Sequence, residues 1–211
     1  MKNILKFILL SLLFIVSSFS QGFNVGKSGT QTFSFDDPKG RNQATFFSST
    51  PLEDVTGITN DVKGSVTFDV NDIKTLKGSV SISTGSINTG IDLRNEHMKS
   101  ANWLDAESYP QITFTIKKVG DVQVVSDNSL KAKVTGDFSL HGVTKEVTAD
   151  ATMNYLVESE QTRQRAPGDL LGVKANFDIV LSNYNVSNKI LGEKVSDKIE
   201  IEVNIVGTNA K

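Results

Sequence analysis

The sequence predicts an all-β fold of about eight antiparallel strands, arranged as a barrel or a sandwich, with one short helical segment. Three observations carry this expectation. Apolar and polar residues alternate with period two over much of the chain, the pattern of strands with one face in a core and the other in solvent. The alternating runs are separated by glycine, asparagine and aspartate clusters such as Asp37-Pro38-Lys39-Gly40, which punctuate turns. The order of elements offers no strand–helix–strand unit, and no glycine-rich phosphate-binding motif accompanies any strand. Closure into a barrel would remove the exposed edges that invite aggregation, and a barrel of this size can enclose one small ligand.

Taken in order, the chain opens with Lys2 and Lys6, an apolar run from Phe7 to Val16 and the stretch Ser18-Phe19-Ser20. This is the plan of a secretory signal peptide over residues 1–20, with the single domain occupying 21–211. The run is about half of the roughly 20 residues a spanning helix needs, so no permanent membrane anchor is expected. Strands follow at Thr32 to Phe35, Ala44 to Ser48, Val62 to Val70 and Lys77 to Ile87. Asp92 to Leu104 breaks the alternation: Leu93, His97, Ala101 and Leu104 fall on one face at helical spacing, which predicts a short helix or helical loop.

Alternation returns at Ile112-Phe114-Ile116, Leu130 to Phe138, Val147 to Tyr155, Ala175 to Leu181 and, most regularly, Ile199 to Ile205. Residues Glu158 to Gly168 are polar and aperiodic and read as an exposed hairpin loop. Because strand side chains alternate, Phe114 and Ile116 should share the inner face and Thr113 and Thr115 the outer one.

Composition excludes several functions. The chain has no cysteine, which removes disulfides, thiolate metal sites, cysteine nucleophiles and lipid attachment through cysteine. Without Lys2 and Lys6 the 22 basic residues fall to 20 against 24 acidic ones, a net charge of −4 with no basic cluster, so nucleic acid is not an expected partner. A periplasmic or secreted location is expected, and a homodimer is compatible with the sequence.

The candidate chemistry is sparse. Only two histidines exist, His97 in the helical segment and His141 between two strands. A zinc site would need them together with acids such as Glu96, Asp105 and Glu107, at a spacing that matches no metal motif, and local hydrogen bonding that orients a loop is the plainer role. Ser139 lies two residues before His141, but no Gly-x-Ser-x-Gly elbow accompanies it, so hydrolysis is not expected. No metal or cofactor is expected. The phenylalanines Phe46, Phe68, Phe114, Phe138 and Phe177 all sit on predicted strands, where core packing and ligand lining use the same residue types.

Two ordered motifs carry a resemblance. Ser86-Ile87-Asn88-Thr89-Gly90 followed by Arg94, His97, Ser100, Asp105, Tyr109-Pro110 and Phe114 is one; Thr135-Gly136-Asp137-Phe138-Ser139-Leu140-His141-Gly142-Val143-Thr144-Lys145-Glu146-Val147 is the other. Together they resemble the signatures of the YceI family of exported lipid-binding proteins, over about Phe33 to Gly207. Asn95 stands where the family usually has aspartate, and Met98 where leucine is common. The resemblance implies a lipocalin-like extended antiparallel barrel whose interior takes a polyisoprenoid or similar long lipid, with the helical segment near its mouth and no catalysis.

On that reading the ligand, an isoprenoid, isoprenoid quinone or fatty-acid-like molecule, is bound through Phe46, Phe68, Arg94, His97, Met98, Trp103, Phe114, Phe138, His141 and Phe177, with Arg94 and the two histidines at the mouth. The alternative is a lipid- or quinone-modifying enzyme using His97 and His141 as acid and base. A filled barrel acting only as an interaction surface is a third reading.

Overall fold

The computed structural model describes residues 21–210; the predicted signal peptide lies outside the described residues. Ten strands form: β1 (Thr30–Ser34), β2 (Gln43–Ser49), β3 (Asp54–Thr59), β4 (Val62–Asp69), β5 (Asp72–Ser83), β6 (Gln111–Ser126), β7 (Ser129–Leu140), β8 (Val143–Leu156), β9 (Leu170–Val180) and β10 (Lys198–Thr208). All pair antiparallel with their neighbours in the order β1-β4-β5-β6-β7-β8-β9-β10, and a β1 to β10 pairing at Ser34 and Thr208 closes eight of them into a barrel. The all-β barrel expected from the alternation is therefore present, with β2 and β3 as a hairpin beyond the eight.

That hairpin explains the shape. At its C-terminal end β10 pairs with β1, whereas from Glu200 to Asn204 the same edge pairs with β2. The switch would orphan the backbone of Val206, and Asn42 supplies the missing partner. Its side-chain Oδ1 accepts from Val206 N at 2.8 Å while its Nδ2 donates to Val206 O and Phe35 O, so one buried amide substitutes for a rung of the ladder. Around it, Arg41 grips Asp37 with two hydrogen bonds, and Arg165 reaches both Asp37 and Asn42. On its far side β3 meets the segment after β5 through reciprocal hydrogen bonds between Ile58 and Asn88, each 2.9 Å. The barrel thus has β1 in its wall at one end and β2–β3 at the other.

The two ends differ in filling. At the first, Phe33 stacks on Phe68 at 5.6 Å, Tyr155 meets Phe33 edge-on at 5.5 Å, and Phe23 from the preceding segment closes the group, all four rings being buried. Tyr155 Oη donates to the buried Asp169 at 2.7 Å, so the one polar atom in the cluster is satisfied. Burial first, and then this hydrogen bond, push the phenol well above its ordinary pKa. Gly22 is pressed so closely against the β4–β5 turn that a Cβ there would lie 2.2 Å from the Asn71 carbonyl carbon, which fixes Phe23 as a plug.

Some sequence expectations are corrected. Asp54–Thr59 forms a strand that the sequence pattern does not predict, with Gly57 inside it. The strand expected to run to Ile87 stops at Ser83, and a 3-10 turn over Thr84–Ser86 follows. The helical segment forms α1 only over Asp92–Lys99; Ser100 caps it, and Asp105 takes a positive φ of 44° as the chain turns back. Leu93 and Leu104 consequently do not share a helix face: Leu93 is exposed and Leu104 buried. Within the expected loop, Glu160–Arg163 forms a single turn, α2, capped by Ser159 and Thr162.

Candidate functional site

Inward parity follows from the register. Phe114 pairs with Phe138 across β6–β7, and Ile201 on β10 lies between Phe46 on β2 and Phe177 on β9, so these residues occupy one face. Ile112 and Ile116 share that face, Thr115 is exposed, and Thr113 is half-buried. Phe46, Phe114 and Phe177 point inward and pack against the core on one side yet remain only partly buried, because their other side faces open space.

That space is a cavity of about 630 Å³, within the range of small-molecule sites. Its lining is almost wholly apolar. The charged and titratable side chains among the lining residues are Glu53, Arg94, His97 and Lys194, and all four belong to segments at the mouth: the β2–β3 turn, α1 and the β9–β10 loop. These segments touch one another. Arg94 Nη1 lies 4.0 Å from Glu53 Oε2, and Asn188 Nδ2 donates to Asn102 O at 3.2 Å.

Of the sequence-predicted residues, Phe46, Arg94, His97, Met98, Trp103, Phe114, Phe138 and Phe177 line this cavity. Phe68 does not, because it is packed in the aromatic plug. His141 does not either. It forms with Gly142 the two-residue turn between β7 and β8, both with positive φ as such hairpins require. Its Nδ1 stands 3.1 Å from the Tyr184 carbonyl, which only accepts, and its ring meets Tyr109 edge-on at 4.8 Å. The structure thus places His97 at the cavity and His141 in a turn outside it.

Asn95 also finds a role. Its Oδ1 accepts from both Thr89 N and Thr89 Oγ1 at 2.8 Å, while its Nδ2 donates to Asn88 Oδ1 at 2.9 Å, a donation an aspartate cannot make. The carboxylate nearest Arg94 is that of Glu53, 4.0 Å away across the mouth.

Sequence reasoning missed Ile190, Lys194 and Val195, which reach the cavity from an aperiodic loop with no pattern to find them. It also omitted Ile201 and Ile205, although their alternation on the last strand pointed to the same face. Among the described residues, no three His, Asp or Glu side chains gather where a metal ion would bind.

A closed antiparallel barrel around an apolar cavity defines the class to which the fold belongs. Within it the chain matches the YceI-like domain model over residues 28–207, and it belongs to that family. It is 29% identical to Protein YceI of Salmonella newport (strain SL254), across 100% of this chain and 99% of that one. Solved structures of similar fold include BcnA of Burkholderia cenocepacia (TM-score 0.65, 19% identity, covering 82% of this chain and 100% of that one). The Campylobacter jejuni YCEI protein gives 0.62 at 24% identity, covering 77% and 89%. A polyisoprenoid binding domain from Saccharophagus degradans gives 0.62 at 18%, covering 85% and 99%.

Proposed function

We propose that the protein is an exported binding protein that sequesters one long apolar molecule, a polyisoprenoid, an isoprenoid quinone or a fatty-acid-like lipid, in the barrel cavity. The observation that carries this reading is the distribution of charge: apolar walls throughout the depth, and Glu53, Arg94, His97 and Lys194 only at the mouth. The polyisoprenoid binding domain of the same fold supports the choice of ligand class. At about 0.3 kcal/mol per heavy atom, a ligand of roughly thirty atoms gains near 10 kcal/mol, a dissociation constant of tens of nanomolar without any ionic contact.

Binding rather than catalysis fits the histidines. His97 is exposed at the rim and His141 is engaged with Tyr184 O outside the cavity, so the two histidines do not converge on one point of a ligand as an acid and base pair. Native mass spectrometry of protein purified from its own host tests the reading: one unmodified apolar molecule per chain is expected. Turnover of a lipid or quinone, lost when both histidines are replaced, would overturn it. Export rests on the pattern of residues 1–20, and sequencing the mature N-terminus tests it. The expected start is Gln21; intact Met1 in a membrane fraction would count against it.

A further inference from the structure

Gly57 faces the cavity from β3, directly opposite Phe46 in the β2–β3 ladder. A Cβ built at Gly57 would lie 2.1 Å from Phe46 Cε1, and 2.7 and 2.8 Å from Cζ and Cδ1. All three nearest atoms belong to that ring, so the Phe46 side chain lies flat on the glycine. Other wall glycines differ: at Gly64 and Gly78 the nearest atoms are backbone, and at Gly136 a carbonyl joins the Phe114 ring. Gly57 has no positive φ, so backbone strain does not demand a glycine there. What demands it is the ring.

We propose that Gly57 determines ligand specificity by seating Phe46 against the wall, keeping the mouth half of the cavity wide enough for a methyl-branched chain. The inference rests on the lipid-binding reading and adds a selection rule to it. Ordinary carbon–carbon contact is about 3.5–4 Å, so an alanine at 57 would force the ring to retreat by roughly 1.5 Å. Retreat by pushing β3 outward would break the reciprocal hydrogen bonds between Ile58 and Asn88. Sideways, Ile201 already occupies the neighbouring inward position. The open direction is the cavity. A straight acyl chain tolerates that narrowing better than an isoprenoid, whose methyl branches widen it at regular intervals.

Titrating the protein with geranylgeraniol and with palmitic acid tests this. The two have equal main-chain lengths but differ in branching, unsaturation and head group, so each probe is compared with itself between parent and variant, where the head-group contribution is common. The sole tryptophan, Trp103, lines the cavity and reports binding through its fluorescence. Gly57→Ala is expected to weaken geranylgeraniol about tenfold, the scale on which a pocket resolves one methyl-sized change, and palmitic acid much less. The double variant Phe46→Leu/Gly57→Ala should recover geranylgeraniol binding.

Equal weakening of both probes, or none, overturns the assignment while leaving lipid binding intact. Failure of the unsubstituted protein to bind either probe overturns the lipid reading and this inference with it. If Gly57→Ala is too unstable to titrate, thermal melting decides: recovery of Tm in the double variant upholds the contact with the Phe46 ring, and no recovery overturns it.

Discussion

The two ends of this barrel are built from the same kinds of residue at the same inward parity, and one is solid while the other is hollow. Phe33, Phe68 and Tyr155 at the plugged end are buried by one another and by Phe23. Phe46, Phe114 and Phe177 at the mouth end face inward and stay only partly buried. The difference lies in what reaches across. A plug with its own aromatic ring fills one end; at the other, glycine seats and a wall widened by β2–β3 leave room. An inward phenylalanine therefore has two meanings, and only its opposite neighbours distinguish them.

Breaking the plug should give the largest effect. Phe68→Ala removes a fully buried ring from a stacked group and is expected to destabilise by about 3–5 kcal/mol. Chemical denaturation checks the loss. Ligand affinity of the molecules that remain folded should be unchanged, and a matching fall in affinity would erase the distinction between the two ends.

The seam where β10 changes partner comes next. Asp37 is held well below the usual carboxylate range, first by its hydrogen bonds from Arg41, then by the backbone N–H groups of Lys39 and Arg41 and by Arg165, against the opposing effect of burial. A carboxyl whose pKa is depressed on folding stabilises the protein above its unfolded value of about 3.9, and that contribution is lost as pH falls through 3.9 toward the folded value. Asp37→Asn should therefore destabilise by about 2–3 kcal/mol at neutral pH, discounted from the 3–5 of full burial because Arg41 is 32% exposed. The gap between variant and parent should begin to narrow below about pH 4 and go on closing as pH falls toward the depressed folded value. Melting curves at several pH values measure it, and a gap that persists in acid would refute the role given to the charge.

The mouth end should respond in the opposite sense to the plug. Phe114→Ala deletes a ring that is only partly buried, so stability should fall by about 1 kcal/mol while affinity for an apolar chain drops about tenfold. Fluorescence titration and denaturation of the same sample separate the two. Equal losses in both would mean that the cavity is a poorly packed core.

How much of this was legible depended on whether position along the chain decided it. The strands and their parity were readable because alternation is a local pattern, as in Ile199 to Ile205. The third strand was not, because Gly57 speaks for a break in sequence and for a ring seat in space. Phe68 and Phe114 are indistinguishable by pattern, and only the segment carrying Phe23, distant in sequence, separates plug from cavity. Lys194 belongs to a loop whose path no periodicity encodes, so the mouth was half visible, through Arg94 and His97 alone.

The smallest effects concern the two histidines, and they sharpen the comparison at the level of single contacts. His97 lies on α1 at the rim of the cavity, so His97→Ala should remove at most one polar contact to a ligand head group. That is worth about 0.5–1.5 kcal/mol, a twofold to tenfold weakening. His141 is in a turn outside the lining, and its Nδ1 is taken by Tyr184 O at 3.1 Å. His141→Ala should leave affinity within twofold and instead lower stability by about 1 kcal/mol, since the Tyr184 carbonyl loses its partner and a residue tolerant of positive φ is replaced by one that is less so. His141→Asn, which keeps that tolerance, should recover part of the loss. If both alanine variants abolished ligand binding with circular dichroism unchanged, the head group would be clamped by both rings or by a metal between them, and metal analysis of the parent protein would tell those two apart.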